Sequence, residues 1–175
     1  MLLFHVLKQR PVRVLFICLG NSYRSKMAET FANAYGSDIL EAGSAGFMPA
    51  KQSSLTARRL MMEKGLDIPE SEPRRWNQND LDTADLIINM CEYGLPKTSA
   101  PVVKTPFPDP VGRAEDERRE IRDQIEILVQ VMLAQFRQAR DEWPWNLQFQ
   151  PEEPTASWWT PHPASVQSPH ASLPA

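Results

Sequence analysis

Hydrophobic positions along this chain follow two rhythms, one continuous and one helical. Between residues 12 and 17 every side chain but Arg13 is apolar, and Val12, Val14 and Ile17 are β-branched. Such a run predicts a strand buried on both faces, as in the middle of a parallel sheet. Ala28, Phe31, Ala32 and Tyr35 then recur at helical spacing, with Gly36-Ser37 as the stop. Residues 39–42 predict a second strand, ending at Gly43-Ser44-Ala45-Gly46. Ser53-Ser54 can cap a helix that runs through Glu63 and ends at Gly65. Residues 85–90 predict a third strand. Pro96, Pro101, Pro106, Pro108 and Pro110 make the next stretch a loop, with room for a short edge strand around Val102-Val103. A long helix is predicted from about residue 113 to 140. Its apolar stripe is Ile121, Ile125, Leu128, Met132 and Phe136, with acids Glu115, Asp116 and Glu117 at its start and Arg137 and Arg140 at its end. Strands alternating with helices imply an α/β fold, a parallel sheet with helices on both faces.

The pattern ends near Trp143. Seven of the 16 prolines lie from Pro144 onward, and the only charges there are Glu152 and Glu153. The expected organisation is an N-terminal leader (1–10), one catalytic domain (11–142) and a Pro/Trp/Ser-rich disordered tail (143–175). Trp143, Trp145, Trp158 and Trp159 are candidate docking groups for an unknown protein. The apolar start, Met1 to Leu7, is too brief to span a bilayer and lacks a small-residue cleavage site. A net charge of −3 gives no electrostatic case for nucleic acid. Two distant cysteines form no disulfide framework and suit the reduced thiols of a cytosol. The expected location is therefore cytoplasmic, with no membrane or nucleic-acid partner.

The chemistry concentrates where the first strand meets the first helix. Cys18-Leu19-Gly20-Asn21-Ser22-Tyr23-Arg24-Ser25 reads as strand end, tight loop and helix start. A loop pressed against a helix N-terminus offers backbone N–H groups to an anion. Arg24 can grip a tetrahedral oxyanion through paired hydrogen bonds. A cysteine in that setting is poised to react as its thiolate. Thiolate plus oxyanion cradle means nucleophilic attack on a bound phosphate or a similar ion.

Cys18, five residues, Arg24-Ser25, with Gly20-Asn21 inside and Met27-Ala28-Glu29 after, resembles the signature of the low-molecular-weight protein tyrosine phosphatases. The arsenate reductases of the same fold share it. The resemblance implies a small, doubly wound, four-stranded flavodoxin-like sheet. It implies Cys18 as nucleophile, Leu19 through Ser25 as the phosphate-binding loop, Ser25 as a donor to the thiolate and Asn21 as keeper of the loop's backbone shape. Asp109, in an Asp-Pro pair before the last helix, takes the place of the general acid. The expected function is hydrolysis of phosphotyrosine-type monoesters, on a phosphoprotein or a small ester, through a cysteinyl-phosphate, with no metal or other cofactor. The alternative is thiol-dependent arsenate reduction in the same cradle, and a third reading is a non-catalytic oxyanion-binding scaffold.

The chain departs from the family at several places. Tyr23 stands where the phosphatases commonly carry a second Cys, Lys26 where Pro is usual, and Val111-Gly112 where an aromatic is typical. Phe47, Met48, Tyr93 and Phe107 are candidates to line the pocket instead. Cys91 resembles a redox cysteine of the thioredoxin-linked reductases, although Thr98, Ser99 and Ala100 occupy the neighbourhood of their third cysteine. On residue type alone, Cys91 reads as an inert buried thiol.

Overall fold

A computed structural model describes residues 10–138. The expected leader apart from Arg10, the tail and the end of the last helix lie outside the described residues. Four strands, β1 (Val12–Cys18), β2 (Leu40–Gly46), β3 (Leu86–Asn89) and β4 (Val102–Lys104), form one sheet in the order β2-β1-β3-β4. All neighbours are parallel. Helices α1 (Arg24–Gly36), α2 (Leu55–Met62) and α3 (Gln78–Thr83) lie in the connections from β1 to β3, and α4 (Glu115–Gln138) follows β4. The α/β class and the parallel four-stranded sheet are those expected.

The continuous hydrophobicity of β1 is explained by its position. Val12, Val14, Phe16 and Cys18 face one core, with α1, α2 and α4 packed over it. Leu15 and Ile17 face a second, smaller core that includes Leu81 of α3. Both faces of the strand are dry, so no polar alternation survives.

Three boundaries differ from the sequence reading. β2 continues through Gly43-Ser44-Ala45-Gly46, because its partner β1 is still extended there and Cys18 pairs with Gly46. Gly36 lies inside α1. A Cβ there would sit 2.3 Å from Leu133 Cδ2 of α4, so the glycine permits a close helix crossing. Helix α3 had no sequence assignment. It is short, buries only Leu81, and is started by a capping box between Asn77 and Asp80.

This order places the site. The chain runs from β1 to β2 on one side, then crosses to β3 on the other. The crevice at the carboxyl ends of β1 and β3 is therefore the switch point where ligands bind in such sheets. Cys18 is the last residue of β1.

Candidate active site

The turn from Cys18 to Arg24 is held from outside by the segment after β2. The carbonyls of Cys18, Leu19, Gly20 and Ser22 accept hydrogen bonds from the amides of Phe47, Met48, Ala50 and Ser54 at 2.8–3.1 Å. With its carbonyls turned outward, the loop turns its amides inward. Among the described residues, none of the amides of Leu19 through Tyr23 is bonded to a protein acceptor. Helix α1 begins at this loop with no side-chain cap and no acid in its first turn, so its positive end is left uncompensated. Such a ring of N–H groups is shaped for an anion.

Asn21 sets the curvature. Its φ of 46° is the only positive value at a non-glycine position among the described residues, and Asn tolerates that region better than most. The side-chain amide is oriented by Arg74, whose backbone N–H donates to Oδ1 at 2.9 Å. Nδ2 therefore points the other way and donates to Ser25 Oγ (3.0 Å) and Ser44 Oγ (2.8 Å). Both hydroxyls act as acceptors there, so their own hydrogens are free to go elsewhere. Ser44 donates to Glu29 Oε2 at 2.5 Å. The Ser25 hydroxyl lies 3.0 Å from Cys18 Sγ and, with its hydrogen available, can donate to it, a bond that strengthens when the sulfur is ionised. Gly46 is required by the same loop. A Cβ there would lie 2.7 Å from the Leu19 carbonyl oxygen and 2.9 Å from the Asn21 nitrogen.

Arg24 is almost wholly buried. Its Nη1 donates to the Phe107 carbonyl at 2.9 Å, and its Nη2 stands 4.0 Å from Asp109 Oδ2. Its Nε is buried and unpartnered, a donor that an oxyanion on the loop would satisfy. Asp109 is half-exposed at the cleft, with the Val111 amide donating to its Oδ1 at 3.0 Å. A carboxyl group placed there can exchange protons with whatever the cleft holds. Cys18, Arg24 and Asp109 thus meet around one opening.

Leu19, Gly20, Ser22 and Tyr23 line that cleft with them. Asn21 and Ser25 lie beneath the loop, fully buried, with their side chains engaged in its shape. Burial pushes the Tyr23 phenol up to about 12, which keeps it neutral. Its hydroxyl donates to the Arg118 carbonyl at 3.4 Å. Of the four proposed pocket residues only Met48 lines the cleft. Phe47 packs on Trp76 and Tyr93, and Phe107 packs against the core and contributes its carbonyl to Arg24. Sequence reading missed Arg118, which lines the cleft, and the Glu29–Ser44 pair beneath it. Neither carries a local signature, since both pairings join distant segments.

Cys91 is buried, as expected, just past the end of β3. Burial pushes its thiol up, and it follows the strand that runs beside the start of the Cys18 loop. The register explains the proximity. Ile17 pairs with Asn89, and the Met90 amide donates to the Ile17 carbonyl at 2.7 Å, so the two chains leave the sheet side by side.

This geometry has close relatives. Residues 13–142 match the model of the low molecular weight phosphotyrosine protein phosphatase family. An arsenate reductase of Bacillus cereus is 34% identical over 117 residues, 64% of this chain and 87% of the relative. The crystal structure of an arsenate reductase from Archaeoglobus fulgidus is 33% identical, with a TM-score of 0.62 over 69% of this chain and 98% of that one. A low-molecular-weight protein tyrosine phosphatase from T. tengcongensis is 25% identical, with a TM-score of 0.63 over 70% of this chain and 98% of that one. The inward-facing loop amides, the Cys18–Arg24 pair and the family match over most of the chain agree, and the chain belongs to the low-molecular-weight phosphotyrosine protein phosphatase family of cysteine-based enzymes.

Proposed function

We propose that this chain is a thiol-dependent arsenate reductase with Cys18 as its nucleophile. The observation that carries the reading is the second thiol, Cys91, buried two residues past the end of β3, the strand that pairs in register with β1 as it runs into Cys18. The relatives named arsenate reductases support the same chemistry. The loop amides from Leu19 to Ser25 and the Arg24 guanidinium hold arsenate. The Cys18 thiolate attacks arsenic, an S–As bond forms, and one oxygen leaves as water after taking up protons, for which Asp109 is the placed acid. A second thiol then attacks Cys18 Sγ. The S–S bond forms, the S–As bond breaks, and its electron pair stays on arsenic, which leaves as arsenite. Cys91 takes that part in this reading. The resulting disulfide is reduced by two electrons from an external thiol or dithiol, because Thr98, Ser99 and Ala100 supply no third cysteine for an internal relay. Reduced thiols of this kind fit a cytosolic setting.

Asp109 favours a second reading, phosphate-monoester hydrolysis, since the same carboxyl can protonate a leaving phenolate and then activate water. Phosphorus offers no comparable two-electron reduction, so the two activities separate cleanly. Purified protein is given arsenate with a dithiol, and separately an aryl phosphate. Arsenite release that disappears in Cys18→Ser and falls in Cys91→Ser is expected. Without added thiol, a single turnover should release arsenite and consume both thiols. Phosphate release with no arsenite under any thiol would overturn the reductase reading.

A further inference from the structure

We propose that Lys26 is a positioning residue that holds the Asn21 amide from both ends and so governs the reactivity of Cys18. The inference rests on Cys18 acting as the nucleophile, whichever oxyanion it attacks.

Lysine is almost never buried without a partner, yet Lys26 is only 4% exposed. Its ammonium donates to Ser71 Oγ and stands 3.8 Å from Glu29 Oε2. These two contacts lead to opposite ends of one side chain. Through Glu29 the path runs to Ser44, then to Asn21 Nδ2, then to Ser25 and Cys18. Through Ser71 it runs along the chain to Arg74, whose amide donates to Asn21 Oδ1. That segment is fastened to the end of β2 by hydrogen bonds from the Gly46 amide to the Arg74 carbonyl and from the Trp76 amide to the Gly46 carbonyl.

The direction of each link follows from the charge on Glu29. A carboxylate only accepts, so Ser44 must give it a hydrogen. Ser44 then has only lone pairs to offer Asn21. The remaining Asn21 hydrogen goes to Ser25, whose own hydrogen is left for the sulfur. Glu29 keeps a route to water, with 22% of its side chain exposed. The Lys26 ammonium compensates the carboxylate where water is scarce and holds it inward. Without that charge Glu29 turns outward, Ser44 loses its acceptor, and the last donor to Cys18 loses its fixed orientation. Among the described residues, the charged and titratable groups that share the cleft with Cys18 are Tyr23, Arg24, Asp109 and Arg118, and Cys91 lies just past the end of β3. Lys26 faces the Glu29 carboxylate on its own helix and the neutral Ser71 hydroxyl across from it.

The test is the rate at which iodoacetamide alkylates Cys18 near pH 6.5, resolved from Cys91 by mass spectrometry. This readout needs no turnover, so it stands apart from the arsenite assay. In Lys26→Met the rate should fall about tenfold, the scale of one charge-assisted hydrogen bond to a thiolate. Lys26→Arg, which keeps the cation, should stay near wild type. Glu29→Gln should slow alkylation as Lys26→Met does, and the double variant should be little slower than either. Ser71→Ala releases one arm alone and should give a smaller loss, which keeps the test available if Lys26→Met folds poorly. A folded Lys26→Met that alkylates at the wild-type rate overturns the proposal. So does a Lys26→Met effect that persists undiminished in the Glu29→Gln background.

Discussion

Replacing Asn21 by alanine tests the loop at its hub, and the size of the effect can be worked from the geometry. The substitution removes three buried or part-buried hydrogen bonds: Nδ2 to Ser25, Nδ2 to Ser44, and the Arg74 amide to Oδ1. Each is worth about 1 kcal/mol net. Alanine must also hold the left-handed backbone that Asn21 adopts at φ 46°, at a further cost of about 1 kcal/mol. The sum is about 4 kcal/mol, a large share of the 5–15 kcal/mol that roughly spans domain stabilities. Asn21→Gly separates the two contributions. It loses the same hydrogen bonds but adopts the left-handed region freely. Its greater unfolded-chain entropy offsets part of that gain, so it should be more stable than the alanine variant by roughly 0.5–1 kcal/mol. Urea unfolding followed by circular dichroism gives both values. Phosphate titration by calorimetry reports whether the loop still cradles an oxyanion, and both variants should bind more weakly than wild type. An alanine variant within about 0.5 kcal/mol of wild type would refute the hub reading, because that is less than one of the bonds it is said to lose.

Gly46→Ala places a methyl group against backbone atoms of Leu19 and Asn21 that cannot rotate away. Stability should fall by about 1–3 kcal/mol, and calorimetry should show weakened phosphate binding. On the hydrolytic reading, Asp109→Ala should slow turnover of aryl phosphates with poor leaving groups by about a hundredfold and good ones far less. Equal loss on both removes Asp109 from the acid role. Glu63 is held well below its ordinary value of 4.5, at about 2, chiefly by hydrogen bonds from Arg119 and Arg122. Its folded value lies below its unfolded one, so its stabilising contribution is present above pH 4.5 and is lost as pH falls towards 2. Acid titration of the unfolding midpoint should therefore be shallower over that window in Glu63→Gln, and an unchanged slope would remove this pair from the account.

What the one-dimensional pattern settles here is local. A strand dry on both faces must be unbroken in hydrophobicity, so β1 and its central place are legible in residues 12–17. A helix with one dry stripe must repeat its apolar residues, so α4 is legible in Ile121, Ile125, Leu128, Met132 and Phe136. The Cys18–Arg24 motif is legible because the amides and the guanidinium that surround one anion come from consecutive residues. Short elements held by polar caps, such as α3, leave too little apolar pattern to read. The extension of β2 through Ser44 depends on a partner strand and not on its own residues.

Tertiary structure decided everything that joins distant positions. It ran the ends of β1 and β3 alongside each other, Ile17 paired with Asn89, and so made the buried thiol two residues further on a candidate reactant. It supplied Asn21 with Arg74 and Ser44 as partners, and Arg24 with the carbonyl of Phe107. It also gave Lys26 a buried place beside Glu29 and Ser71, where the sequence offered only a departure from the usual proline. Periodicity records which side of an element is dry. It holds no record of which polar atoms meet across a gap in the chain, and reactivity at a buried sulfur is set by those meetings.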